Sequence, residues 1–300
     1  MSDAAGALCG ELLRALNDGT PPNVALMRLL LRAPDAHAAG RAIDAARRAA
    51  HSDRHARRRV HDVAALWHGH PDAWRVVRDV AAAHGTMRAD RALDRWASTY
   101  DQLVRTSREA SVALYSLGSP ELLATATAEI VAYLRHHDLL APMRKMLDLG
   151  CGIGRLLEAL APEVGAAVGV DISPEMARHA RGCCRRFDNV MVVRSCGRDL
   201  AAFADAGFDL VLAADVFPYI HDAARELVWR IFAEAARVLV PGGTLVILNF
   251  SYRDDTGADR VDVSRLAGEI GFDILANGDR PFAVWDGLAF VLRRWRNQTS

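Results

Sequence analysis

Residues 147–155 read Leu-Asp-Leu-Gly-Cys-Gly-Ile-Gly-Arg, and residues 168–174 read Val-Gly-Val-Asp-Ile-Ser-Pro. The first stretch ends a short apolar run, Met146–Leu149, and opens a helical pattern. Glycines at this point let the backbone turn sharply and let a ligand come close to the main chain. Twenty-one residues beyond Gly150, a second apolar run, Ala166–Val170, ends at Asp171. A carboxylate at the end of such a strand can accept both hydroxyls of a ribose. A tight turn alone would account for the glycines, and a helix-capping role alone would account for Asp171. The acid at this spacing, after a strand, favours a nucleoside site over both.

Outward from this pair the chain alternates. Val190–Val193, Phe208–Ala213 and Leu245–Phe250 are further apolar runs, and Phe272–Ala276 and Leu288–Leu292 read as a closing pair of strands. The clearest helix between them spans 223–239, with Leu227, Ile231, Phe232 and Val238 on one face and Glu226, Arg230 and Glu234 on the other. Such alternation predicts an α/β fold, a seven-stranded, mostly parallel sheet with helices on both faces. Pro241-Gly242-Gly243 reads as the turn into the fifth strand. Upstream, residues 1–95 read as helices only, with Asn23 and Pro34-Asp35 as helix starts, and residues 96–140 continue helical with a further start at Ser119-Pro120. The expected division is an N-terminal helical domain, 1–98, and a catalytic domain, 99–300.

The 300 residues carry 37 basic and 37 acidic groups, and half are apolar. A sizeable core follows, and neutrality argues against nucleic-acid binding through bulk charge. Neutrality is the sum of a net +4 in residues 1–95 and a net −4 in the rest. The arginine group at 41–59, which includes Arg54, Arg57, Arg58 and Arg59, is interleaved with Asp44, Asp53 and Asp62 and lacks stacking aromatics, which favours a solvated helix face. No run of about 18 apolar residues predicts a membrane span, and the N-terminus lacks a secretory pattern. Five cysteines without a C-x-x-C spacing point to a reducing cytoplasm rather than a disulfide framework. No H-x-x-x-H or acidic cluster suggests a metal.

Two nucleoside ligands compete for the glycine loop. A dinucleotide fingerprint requires a small residue at 155, where this chain has arginine. Asp148, two residues before the first glycine, would repel a pyrophosphate but suits an ammonium group. S-adenosylmethionine has a ribose, an α-ammonium and no phosphate. The segments MLDLGCGIGRLLEAL and VGVDISPEMARHAR resemble the class I S-adenosylmethionine-dependent methyltransferases, over roughly residues 100–294. The resemblance implies a Rossmann-like sheet with S-adenosylmethionine as cofactor. Gly150, Gly152 and Gly154 would meet its methionine part, Asp148 its amino group, Asp171 its ribose, and Ile172 its adenine. The family usually has an acid after the third strand, and here Cys196 and Gly197 stand there, leaving adenine to backbone groups or Asp199.

The fourth strand leads into Asp215-Val216-Phe217-Pro218-Tyr219-Ile220-His221. Asp215 and Phe217 are expected to face the cofactor or acceptor. Tyr219, His221 and, after the fifth strand, Tyr252 are candidates for taking an acceptor proton, though His221 also suits a plain helix start. The motif departs from the D/N-P-P-Y/F turn that amino-group methyltransferases share, which weighs against nucleic-acid or protein amino targets. Asn249, Arg253, Tyr100, Tyr115 and Trp285 are candidates for acceptor contact, with core or surface packing as their competing explanation.

These observations predict a cytoplasmic methyltransferase that acts on a small molecule by in-line transfer. Three alternatives stay open: another S-adenosylmethionine reaction such as intramolecular cyclisation, an RNA or protein methyltransferase, and a non-catalytic cofactor sensor. The N-terminal helices have three uses open to them: covering the site, forming a homodimer interface, or extending the core.

Overall fold

The computed structural model of the chain describes residues 2–86 and 92–296. It divides into two compact units, the first made of residues 1–87, 102–126 and 282–286, the second of residues 88–101, 127–281 and 287–300.

The first unit holds α1 (Ser2–Asn17), α2 (Pro22–Arg32), α3 (Ala36–Ala49), α4 (Arg54–Gly69) and α5 (Ala73–Thr86). The unit boundary falls inside α6 (Ala92–Thr106) and inside α8 (Pro120–His136), with the short α7 (Arg108–Val112) between them. Apolar residues at helical spacing meet in one core that includes Leu12, Leu16, Leu26, Leu30, Ile43, Val60 and Val77. Asp35 caps α3 by accepting from Ala38 N at 2.6 Å, and Ser119 caps α8 by accepting from Leu122 N at 3.2 Å, as the sequence predicts. Asn23 does not cap. It lies inside the first turn of α2, 2% exposed, and its Nδ2 donates to the carbonyls of Tyr115 at 2.9 Å and Val284 at 2.8 Å. Those two bonds tie segments 102–126 and 282–286 to the helices, which no local sequence rule reveals.

The second unit is built on β1 (Lys145–Leu149), β2 (Ala166–Asp171), β3 (Val190–Arg194), β4 (Phe208–Ala214), β5 (Leu239–Leu248), β6 (Phe272–Asp279) and β7 (Ala289–Arg294). Their order is β3-β2-β1-β4-β5-β7-β6, parallel except for β7, which runs antiparallel to both neighbours. Between them lie α9 (Arg155–Leu160), α10 (Pro174–Cys184), α11 (Phe217–Ala223), α12 (Arg225–Val238) and α13 (Thr256–Ile270). The 223–239 pattern is interrupted at Ala224, whose extended backbone (φ −170°) separates α11 from α12. Pro241-Gly242-Gly243 lies within β5, at a register irregularity opposite Phe208–Leu210, instead of forming a turn before it.

Alternation along β1 sorts its side chains. Leu147 and Leu149 join a core with Val211, Phe232, Leu245 and Phe290, so Asp148 points to the opposite face. The strand order reverses between β1 and β4, and ligands of such sheets bind beyond the carboxyl ends of the strands at that switch point. Among the described residues, no helix is long and apolar enough to cross a membrane.

The Asn23 bonds give a stability prediction. Asn23→Ala leaves two carbonyls short of a donor and should lower the unfolding free energy by about 1–3 kcal/mol. Denaturant titration measures it, and an unchanged midpoint contradicts the assignment.

Candidate functional site

The loop after β1 is shaped by backbone conformation. Gly150, Gly152 and Gly154 all have positive φ, at 72°, 54° and 84°. A Cβ on Gly150 would also stand 2.6 Å from Val216 Cγ2, so only glycine fits. The amides of Gly150 and Cys151 both donate to Val170 O, at 2.8 and 3.0 Å, which docks the loop on the end of β2. Asp171 locks it there: Oδ2 accepts from Gly152 N at 2.8 Å and Oδ1 from Ser173 N at 2.9 Å. Each oxygen keeps a further lone pair for a ligand hydroxyl. Burial, partly offset by these amide bonds, raises the Asp171 carboxyl to about 6.

Asp148 is the anomaly of the site. It is 1% exposed, and neither carboxylate oxygen has a hydrogen-bond partner. Burial raises it to about 7, the Arg155 guanidinium pulling it down and Asp171 pushing it up. Arg155 itself donates to Thr127 Oγ1 at 2.9 Å. A buried carboxylate without donors suits a cationic ligand group that supplies them. The site therefore fits an α-ammonium beside Asp148 and ribose hydroxyls on Asp171. After β3, a Cβ on Gly197 would lie 2.6 Å from Ile172 Cγ2, so these two residues close one wall together. Cys196 beside them is exposed.

Beyond β4 and β5 stands a polar and aromatic cluster. Asn249 Nδ2 and Tyr252 Oη both donate to Asp215 Oδ1, each at 2.9 Å. Tyr219 Oη lies 3.2 Å from Tyr252 Oη. The Tyr219 ring is packed edge-on against Trp96, Tyr100 and Tyr252, with centroids at 4.7, 5.3 and 5.7 Å. Burial first, and then the Asp215 charge, push the Tyr219 phenol up to about 12. Asp222 fixes the start of α6 by accepting from Arg95 at 2.6 Å and Trp96 Nε1 at 3.0 Å. Asp101, in the same helix, accepts from Ser173 Oγ at 2.5 Å and Glu175 N at 3.0 Å, at the first turn of α10.

Several sequence expectations need correction. Phe217 does not face the crevice: it is fully buried between Phe232 and Phe250, with centroids at 5.3 and 5.9 Å, because the start of α11 turns it into the core. Arg253 is not available to orient an acceptor carboxylate, since Asp259 and Asp262 each hold its guanidinium at 2.7 Å. Tyr115 and Trp285 are buried and stack on one another at 5.7 Å within the first unit, so packing accounts for both. His221 lies inside α11, edge-on to Phe250 at 5.8 Å. Tyr100, Tyr219, Tyr252, Asn249 and Asp215 do come together. Trp96, Asp101, Thr127 and Arg155 were missed as site residues, because helical periodicity marks only which face is apolar.

Residues 147–247 match the family described as methyltransferase domain. The chain is 36% identical over 108 residues to a demethylmenaquinone methyltransferase of Tropheryma whipplei, covering 36% of this chain and 42% of that protein. It is 32% identical over 114 residues to a ubiquinone biosynthesis O-methyltransferase of Methylococcus capsulatus, covering 38% and 46%. The chain thus spans less than half the length of these curated relatives. Among solved structures, phosphoethanolamine N-methyltransferase 1 of Haemonchus contortus superposes with a TM-score of 0.55 at 14% identity, covering 72% of this chain and 52% of that one. At that identity the likeness is one of fold.

Asp148 gives a paired prediction. Its carboxyl is raised above its unfolded value near 3.8, so it costs stability as pH rises through about 7. Asp148→Asn should raise the melting temperature of the free protein, more at pH 8 than at pH 5. The same change should weaken S-adenosylhomocysteine about 10- to 100-fold. Wild-type affinity should climb as Asp148 ionises, between roughly pH 6 and pH 8. Calorimetry that finds equal affinities for the two proteins at pH 8 refutes the ammonium assignment.

Proposed function

We propose, from the premise that the chain carries a class I S-adenosylmethionine-dependent methyltransferase domain, that the protein methylates a small aromatic molecule. The observation that carries the cofactor half is the partnerless buried Asp148 beside a loop locked by Asp171. When bound, S-adenosylmethionine supplies a methyl already activated by its positive sulfur. The chain then has chiefly to align nucleophile, carbon and leaving sulfur. Asp148 would hold the ammonium, Asp171 the ribose hydroxyls, the glycine loop the methionine part, and Ile172 with Gly197 the adenine.

The acceptor half is supported by two things. The related proteins are named for demethylmenaquinone, ubiquinone biosynthesis and, in Synechocystis, 2-methyl-6-phytyl-1,4-hydroquinone. The cluster of Trp96, Tyr100, Tyr219 and Tyr252 offers aromatic edges and hydroxyls beside the expected reaction point. A cytoplasmic setting belongs to the same reading, favoured by the odd cysteine count and the absence of a C-x-x-C spacing.

Methyl-labelled S-adenosylmethionine, incubated with catechol, 1,4-naphthohydroquinone or phenethylamine, should yield S-adenosylhomocysteine and a labelled aromatic product. Methylthioadenosine without S-adenosylhomocysteine would falsify methyl transfer, and label recovered only in RNA or protein would remove the small-molecule acceptor. Asp171→Ala should weaken S-adenosylhomocysteine at least about tenfold, through the loss of bonds to a charged group.

A further inference from the structure

Two residues next to each other at the carboxyl edge of the sheet have unusual backbones. Asp215, after β4, has φ +56°, and Asn249, after β5, has φ +71°. Such conformations in residues other than glycine concentrate at functional sites. Each is held by its strand neighbour: Asp215 N donates to Leu248 O and Asn249 N to Leu288 O, both at 2.7 Å. The result brings Asn249 Nδ2 onto Asp215 Oδ1 and leaves that oxygen also accepting from Tyr252.

The hydrogen bonds have a direction. An ionised carboxylate only accepts, so Tyr252 spends its one proton on Asp215. Its oxygen then accepts the proton of Tyr219 across the 3.2 Å contact. Both phenols thus point toward Asp215. The outer member, Tyr252, is 59% exposed, while Asp215 is half-buried behind it. Among the described residues, the groups facing the carboxylate include the phenols of Tyr219 and Tyr252 and the amide of Asn249, and Tyr100 reaches them through Tyr219. Asp171 acts on Tyr100 from the ribose side.

We propose that Asp215 is the proton sink for methyl transfer, reached through the hydroxyls of Tyr252 and Tyr219; this rests on the function proposed above. As the bond from acceptor to methyl forms, the methyl–sulfur bond breaks and its electron pair stays on sulfur. The acceptor's proton passes to a tyrosine oxygen while the outgoing phenol proton moves on to Asp215. One proton leaves the acceptor, one arrives on the carboxylate, and the phenols are neutral before and after. The acceptor class is thereby narrowed. Its nucleophile must carry a proton, as an aromatic hydroxyl or an amine does. A carboxylate acceptor has no proton to give and would meet Asp215 with like charge.

The test compares the full-length wild type with Asp215→Asn and Tyr252→Phe. Asparagine tolerates positive φ and still accepts from Tyr252, so the first change removes charge and spares the backbone. Tyr252 is exposed enough that its change leaves the core alone. Both variants should bind S-adenosylhomocysteine within about threefold of wild type, because neither group holds the cofactor. Turnover of the best acceptor among catechol, 1,4-naphthohydroquinone and phenethylamine should fall about 10²- to 10⁴-fold in Asp215→Asn. At saturating S-adenosylmethionine, where the ionisation of Asp148 no longer limits binding, the acidic limb of its pH–kcat profile should flatten. Its tyrosinate absorbance should appear at lower pH, a negative charge beside the phenols having gone. Turnover within threefold of wild type with an unchanged profile overturns the relay alone, as does methylation of benzoate as fast as catechol. A wild type that binds S-adenosylhomocysteine but methylates none of the three acceptors overturns the proposed function and the relay together.

Discussion

Burying a carboxylate away from every donor is among the more expensive things a fold does, and the strand that carries Asp148 does it one residue from its carboxyl end. The cost is met locally by protonation, since burial moves the carboxyl to about 7. In the proposed function it is met by a ligand that brings its own positive charge. Much else in the second unit serves this arrangement. The alternation of β1 sends Leu147 and Leu149 into one core and Asp148 to the other face. The glycine loop exists because the chain must then turn within van der Waals distance of Val216. Asp171 ties that loop to β2, so the two acids form one continuous recognition edge.

The opposite half of the crevice follows a different logic. There the polar groups satisfy one another, and what is unusual is the backbone. Asp215 and Asn249 sit in the left-handed conformation that residues with side chains seldom adopt, Asp and Asn most readily among them. Sheet hydrogen bonds from the adjacent strand ends hold both in place. In the proposed function the cofactor half is thus pre-organised through unmet charge, the acceptor half through a fixed backbone conformation. Both devices trade stability of the free protein for a site that needs little rearrangement when its ligands arrive.

Much of this was legible in the chain. The strand runs, the closing pair of strands, Ser119 as a helix cap and the two acids of the cofactor motif depend on short-range patterns: alternation, turn chemistry and spacing from one strand end to the next. The misreadings share a cause. Phe217 and Arg253 occupy the right loops, but a loop position does not say which way a side chain turns. Phe217 is drawn into the core by Phe232 and Phe250, and Arg253 is captured by two aspartates downstream. Tyr115 and Trp285 are 170 residues apart in sequence and stack in one core that no local pattern could join.

The amino-acid sequence by itself determined the order of strands and helices, the glycine loop, and the two carboxylates at the ends of the first two strands, which the proposed function assigns to an ammonium and a ribose. These follow from periodicity and from conformations that only certain residues adopt. The tertiary structure alone decided that Asp148 has no donor, that Asp215 gathers Asn249 and Tyr252, and that Asn23 binds two distant segments. Each of those depends on which groups the folded sheet and helices bring within hydrogen-bonding range, a distance that spacing along the chain does not encode.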